Sequence, residues 1–242
     1  MKNQISWLFI GLLAAFAGAG FLLAVLPTLP ILTFTFVLLG WIVSLCLHEY
    51  AHAVTALKFG DYTIKDTGYL TLDPRHYFNG PTSIVLPILA LVMGGIGLPG
   101  GAVMIRTGLI RKKWQQSAVS LAGPAATLVC AALVYAIAIA FNGLPELYIG
   151  LMVLFFFLLT AFILNMLPIP GLDGFGALAP YLPAKVRDAV PPQLAGLVTV
   201  GLLLLVFFFG GFIIMPIMFG ITAALGIDLY PVLVGLQRFK LW

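Results

Sequence analysis

The sequence predicts an all-α polytopic membrane protein, with six transmembrane helices and a short strand-like or re-entrant element after the second helix. Three observations lead there. Of the 242 residues, 62% are hydrophobic and 8% charged, against roughly 45–50% and about 25% in an ordinary soluble domain. Mean hydropathy is +1.14, and too few polar residues exist to coat a soluble fold of this size. The apolar residues also fall in runs that reach the length of about 20 residues a bilayer crossing needs. Soluble enzymes, nucleic-acid binders and disordered regulators are excluded, and the lipid bilayer is the first expected partner. The formal charge of +4 then reads as a topology signal rather than the mark of an acidic partner. Cys46 and Cys130 both lie in apolar runs, so no disulfide framework is implied.

Trp7–Leu26 is the first span. It is longer than the apolar core of a signal peptide and has no small-residue cleavage site, so it reads as a retained helix. Pro27–Pro30 separates it from Ile31–Leu57. Ser117–Phe141 and Leu147–Leu167 follow, divided by the turn at Asn142–Glu146. Leu194–Leu236 covers 43 residues, enough for two spans at about 194–211 and 212–236 with a break near Gly210–Pro216. Ser83–Ile105 is apolar, but Gly94–Gly101 contains five glycines and Pro99. That makes it a poor helix and a candidate to enter the membrane and return on the same side. If it does not cross, all 12 basic residues, from Lys2 to Arg238 and Lys240, fall on one face with both termini. If it crosses, Arg106, Arg111, Lys112 and Lys113 move to the other. The positive-inside rule favours six spans, with that face cytoplasmic. A single membrane-embedded domain over 1–242 is expected, with no room for a PDZ or CBS module.

Residues 48–52 read His48-Glu49-Tyr50-Ala51-His52, an H-E-x-x-H motif inside the second span. On a helix, positions i and i+4 share a face, so both imidazoles can reach one zinc ion. Glu49, one step round, can take a proton from an attacking water. With 3 His and 2 Glu in the chain, chance produces this pattern about 0.0003 times per shuffled sequence. Glu49 is also the only charged residue between Lys2 and Lys58. A carboxylate near a bilayer centre costs roughly 2.5–3.5 kcal/mol even on lenient scales.

A hydrolytic zinc site takes a third protein ligand. Glu146, the other glutamate, is expected on the outer turn, away from the histidines. Asp173 follows the fourth span and arrives near their end of the membrane. His76, in a polar inner loop, is the remaining candidate. Before Asp173, Pro168 and Pro170 unwind the backbone at membrane depth, where freed carbonyls and the Asn165 amide could hold an extended peptide.

H-E-x-x-H in a span, followed more than 110 residues later by Asn165-Met166-Leu167-Pro168-Ile169-Pro170-Gly171-Leu172-Asp173-Gly174, resembles the site-2 protease family of intramembrane zinc metalloproteases. Gly68–Pro74 is similar to its G-x-L-T-L-N-P stretch, and Ser120–Ala125 to its L-A-G-P stretch. The resemblance covers about residues 40–180. It implies one zinc per chain held by His48, His52 and Asp173, with Glu49 catalytic and Asn165 handling substrate. The substrate it implies is a transmembrane protein, cut in or near its membrane segment. Leu98–Ile105 departs from the W-A-K-P-V-P-like segment of many compact members. A proteolytically silent zinc-binding protein or a transporter is the alternative. The outer halves of the spans carry few polar residues, which disfavours transport.

Overall fold

The computed structural model describes residues 5–26, 29–77, 103–187 and 211–239, with the single positions 201, 204 and 208. Among them lie the helices α1 (Trp7–Val25), α2 (Pro30–Lys58), α3 (Pro74–Tyr77), α4 (Lys113–Ala140), α5 (Pro145–Asn165), α6 (Asp173–Leu178), α7 (Ala184–Arg187), α8 (Gly211–Ala224) and α9 (Tyr230–Phe239). No strand occurs among the described residues. Helices α1, α2, α4 and α5 are each long and apolar enough to cross a membrane.

Local chemistry sets the helix ends. The Ser6 hydroxyl accepts from Leu8 N at 3.2 Å and caps α1. Pro30 and Pro145 open α2 and α5, where a missing N–H leaves no bond unmade. Helix α5 is the central pillar. Every residue from Gly150 to Ala161 is buried, against neighbours on α1, α2, α4, α8 and α9. Helix α1, by contrast, leaves Trp7 85% and Phe21 67% exposed, an outward apolar face suited to lipid.

The start of α1, the end of α2 and the start of α4 meet at one end of the bundle, the loop end. Ser6 N donates to Thr71 O at 2.8 Å, and the Ser6 hydroxyl to Asp73 Oδ2 at 3.1 Å. The Arg75 guanidinium grips Asp73 through both carboxylate oxygens. Hydrogen bonding from Arg75 holds the Asp73 carboxyl down at about 2. Phe59, just past α2, packs edge-on against Trp114 of α4 at 5.3 Å.

Two features differ from the expected arrangement. The stretch 212–236 is divided between two helices. Helix α8 closes at Gly226 (φ +65°), where Ile227 N donates back to Thr222 O at 2.8 Å in the manner of a glycine C-cap. Asp228 Oδ1 then accepts from Tyr230 N at 2.8 Å and starts α9. With ten residues, α9 is about 15 Å long and too short to cross. Its Gly235 lies against Ile149 and Val153 of α5, and Arg238 pairs with Glu146 at 2.7 Å. Arg238 is therefore at the far end of the bundle from Lys58, Arg106 and Lys113. Residues 83–102 of the expected re-entrant element and most of 194–211 lie outside the described residues.

Candidate metal centre

Helix α2 presents His48, Glu49 and His52, which are 6%, 4% and 6% exposed. The i, i+4 spacing stacks the imidazoles on one face, with their Nε2 atoms 3.0 Å apart. Asp173, first residue of α6, closes the group. Its Oδ2 is 3.2 Å from His48 Nε2 and its Oδ1 3.3 Å from His52 Nε2. Backbone geometry explains why Asp173 arrives there. Helix α5 ends at Asn165, the chain turns at Gly171 (φ +94°), and Gly174 packs on the Met166 carbonyl so closely that a Cβ would collide with it. The glycine after Asp173 is thus part of what seats the carboxylate.

The opposite nitrogens of the rings are anchored to α4. His52 Nδ1 is 2.7 Å from the Val119 carbonyl, which only accepts, so Nδ1 carries the proton and Nε2 the lone pair. The Thr127 hydroxyl donates to Gly123 O at 3.3 Å and so accepts from His48 Nδ1 at 2.9 Å. With both rings neutral, two imidazole lone pairs and a carboxylate then converge. Such a donor set calls for a cation, and hydrogen bonds to the far ring nitrogens are what orient metal-binding histidines. The spacing fits as well. Ligand atoms about 2.0–2.1 Å from a tetrahedral zinc stand about 3.3–3.4 Å apart, close to the 3.0, 3.2 and 3.3 Å seen here. The residues fit one zinc ion.

These atoms, with Glu49 and Asn165, line a cavity of about 240 Å³. The Val103 backbone amide hydrogen-bonds to Glu49, and Val103 and Ile105 line the cavity wall. Asn165, at the end of α5, is 7% exposed. His76 is exposed and packs on Gly68 away from the cluster. Glu146 is paired at the far end. Three contributors lie beyond the sequence reading: Thr127, the Val119 carbonyl and Gly123. A Cβ on Gly123 would run into His52 Nε2 and lie 2.5 Å from His48 Nε2. Gly123 and Thr127, one turn apart in the middle of a span, were the available signal.

No family model and no solved structure matches the chain. Curated relatives do. The chain is 47% identical over 161 residues to the zinc metalloprotease Rip2 of Mycolicibacterium smegmatis, a match covering 66% of this chain and 62% of that protein. Against Rip2 of Mycobacterium tuberculosis it is 44% identical over 192 residues, covering 76% and 74%. Against the zinc metalloprotease YwhC of Bacillus subtilis it is 30% identical over 167 residues, covering 65% and 74%. Identity of this order, across three quarters of both chains in the mycobacterial case, is far above chance likeness. It joins a donor set suited to zinc on apolar helices, and the chain belongs to the site-2 protease family of zinc metalloproteases.

Proposed function

We propose that this chain is an intramembrane zinc endopeptidase that hydrolyses peptide bonds in or near transmembrane segments of other proteins. The observation that carries this reading is the placement of Glu49 beside His48, His52 and Asp173 in one cavity, on a helix long and apolar enough to span the membrane. His48, His52 and Asp173 hold the ion. Bound there, zinc supplies a Lewis acid that polarises the scissile carbonyl and makes water a stronger acid. Glu49 takes the proton of the attacking water and returns it to the leaving amine nitrogen.

A substrate helix must unwind before its backbone can be cut, and each backbone group freed in a lipid environment costs several kcal/mol unless it is paired. The buried Asn165 amide is a group in the cavity that can pair with it, and Val103 and Ile105 line the same cavity. The whole chain is read as one membrane-embedded domain. Residues Lys58, Lys65, Arg75, Arg106, Arg111, Lys112, Lys113, Lys185 and Arg187 set the loop end, and with it the mouth of the site, on the cytoplasmic side.

The test is co-expression with tagged single-span membrane proteins. Glu49→Gln keeps the shape of the side chain but cannot take up the proton, so zinc is retained while cleavage falls by about 10²–10⁴-fold. Cleavage at the wild-type rate by Glu49→Gln would exclude hydrolysis at this centre.

A further inference from the structure

A second cavity, of about 370 Å³, lies at the loop end. Thr107, Gln116 and Ser120 line both it and the metal cavity, so the two adjoin along α4. Gln116 and Ser120, one turn apart on α4, make its floor. One bank is the turn at Thr107–Gly108 and the other is Gly176–Pro180. Both banks are tied to α4. Gln116 Nε2 donates to Ile110 O at 2.8 Å and to Thr107 O at 3.3 Å. On the other side the Ser117 hydroxyl donates to Ala177 O at 2.6 Å. The width of the groove is therefore fixed by hydrogen bonds rather than left to loop motion.

Two features say what it holds. The Ser120 hydroxyl, at the junction of the cavities, has no hydrogen-bond partner among the described residues. The banks are built from Gly108, Gly176, Ala179 and Pro180, with Arg187 the one charged residue in the lining. A Cβ on Gly176 would stand 2.7 Å from Ser120 Oγ, whereas one on Gly108 would meet nothing within 4 Å. Resting on the protease reading above, we propose that this groove is a substrate subsite. It takes the arm of the substrate that runs from the scissile bond toward the loop end. The arm lies extended with a backbone group on the Ser120 hydroxyl, and small side chains are selected where it passes between the glycine-lined banks.

The experiment uses the full-length, zinc-loaded protein with the Glu49→Gln change, so that substrate is held and not consumed. A photo-crosslinking residue is placed at Gly108, at Met104 beside the metal cavity, or at Gly143 in the far-end turn. Crosslinks from Gly108, mapping to residues on one side of the cleavage site only, support the subsite, with none from Gly143. In the active protein, Ser120→Ala raises KM about tenfold with kcat within twofold, and Gly108→Trp lowers kcat/KM more than tenfold with zinc content unchanged. Tryptophan scanning of the substrate finds intolerance at the positions that crosslink to Gly108. Capture from Met104 with none from Gly108 overturns the subsite and leaves the protease reading standing. Absence of capture from both positions, together with no cleavage by the wild type, overturns the two together. A fall in kcat alone for Ser120→Ala removes that residue from the proposal, and with it the proposed anchor.

Discussion

Replacing Gly123 by alanine adds one methyl group, and the structure says where it would go. The Cβ would stand 2.5 Å from His48 Nε2 and 2.7 Å from His48 Cδ2, and closer still to His52 Nε2. Ordinary contact needs about 3.5 Å, so the rings or helix α4 must retreat by about 1 Å. Neither ring is a floppy chain end. His48 is held by Thr127 and His52 by the Val119 carbonyl, both on the helix that carries the new methyl. Zinc–ligand distances tolerate only about 0.2 Å, so a 1 Å displacement takes the donors out of range. We expect zinc affinity to fall at least about 100-fold, equivalent to about 2.7 kcal/mol. The helix itself should gain, because alanine is better than glycine in a helix interior by about 1 kcal/mol. Gly123→Ala should therefore be helical, folded and short of metal. The assay is zinc content by mass spectrometry after dialysis against graded chelator, with circular dichroism on the same samples. Wild-type affinity in Gly123→Ala would refute the close approach of α4 to the histidine pair.

Three further outcomes are expected. Asp173→Ala should lose zinc whereas His76→Ala keeps it, since only Asp173 lies with the two Nε2 atoms; the same zinc assay decides it, and full occupancy in Asp173→Ala would move the third ligand elsewhere. Thr127→Val removes the acceptor that fixes His48 and should weaken zinc about 10–100-fold, with Thr127→Ser restoring it; an unchanged chelator titration would show that the ring needs no such partner. In accessibility labelling, a cysteine at Phe239 should label from the same side as one at Asn142 and from the opposite side to one at Lys112, because Arg238 is bound to Glu146. Labelling of Phe239 and Lys112 from one side would refute the placement of α9 at the Glu146 end.

The parts of the molecule that were legible share a cause. An H-E-x-x-H helix, a proline break and a following aspartate are local patterns whose chemistry demands their spacing, and the structure brings His48, His52 and Asp173 together as that chemistry requires. The orienting partners were not legible. Thr127 and the Val119 carbonyl act across 79 and 67 residues, and no local rule says that α4 rather than another helix packs there. Gly123 is intermediate. A glycine costs helix stability, so its presence in a span is a signal of close approach, but the partner is supplied only by the fold.

The C-terminal break between α8 and α9 is a different case. Hydropathy over Leu194–Leu236 is uniform, and length alone divides it into two crossings. The information against that division was nonetheless present in Leu225-Gly226-Ile227-Asp228, a glycine stop followed by an aspartate start, set inside the apolar run. These are the residues that close α8 and open α9. In water such a pair is ordinary punctuation. Within a bilayer it carries more weight, because an interrupted helix exposes backbone groups that lipid cannot satisfy. The interruption must be covered by protein or lie where water reaches it. Here α9 is packed against α5 at the Glu146 end, and Arg238 meets the carboxylate that opens that helix. The same rule governs the catalytic half of the molecule. Unwound backbone after Asn165 is tolerated because it lines the cavity that also holds Glu49, His48, His52 and Asp173.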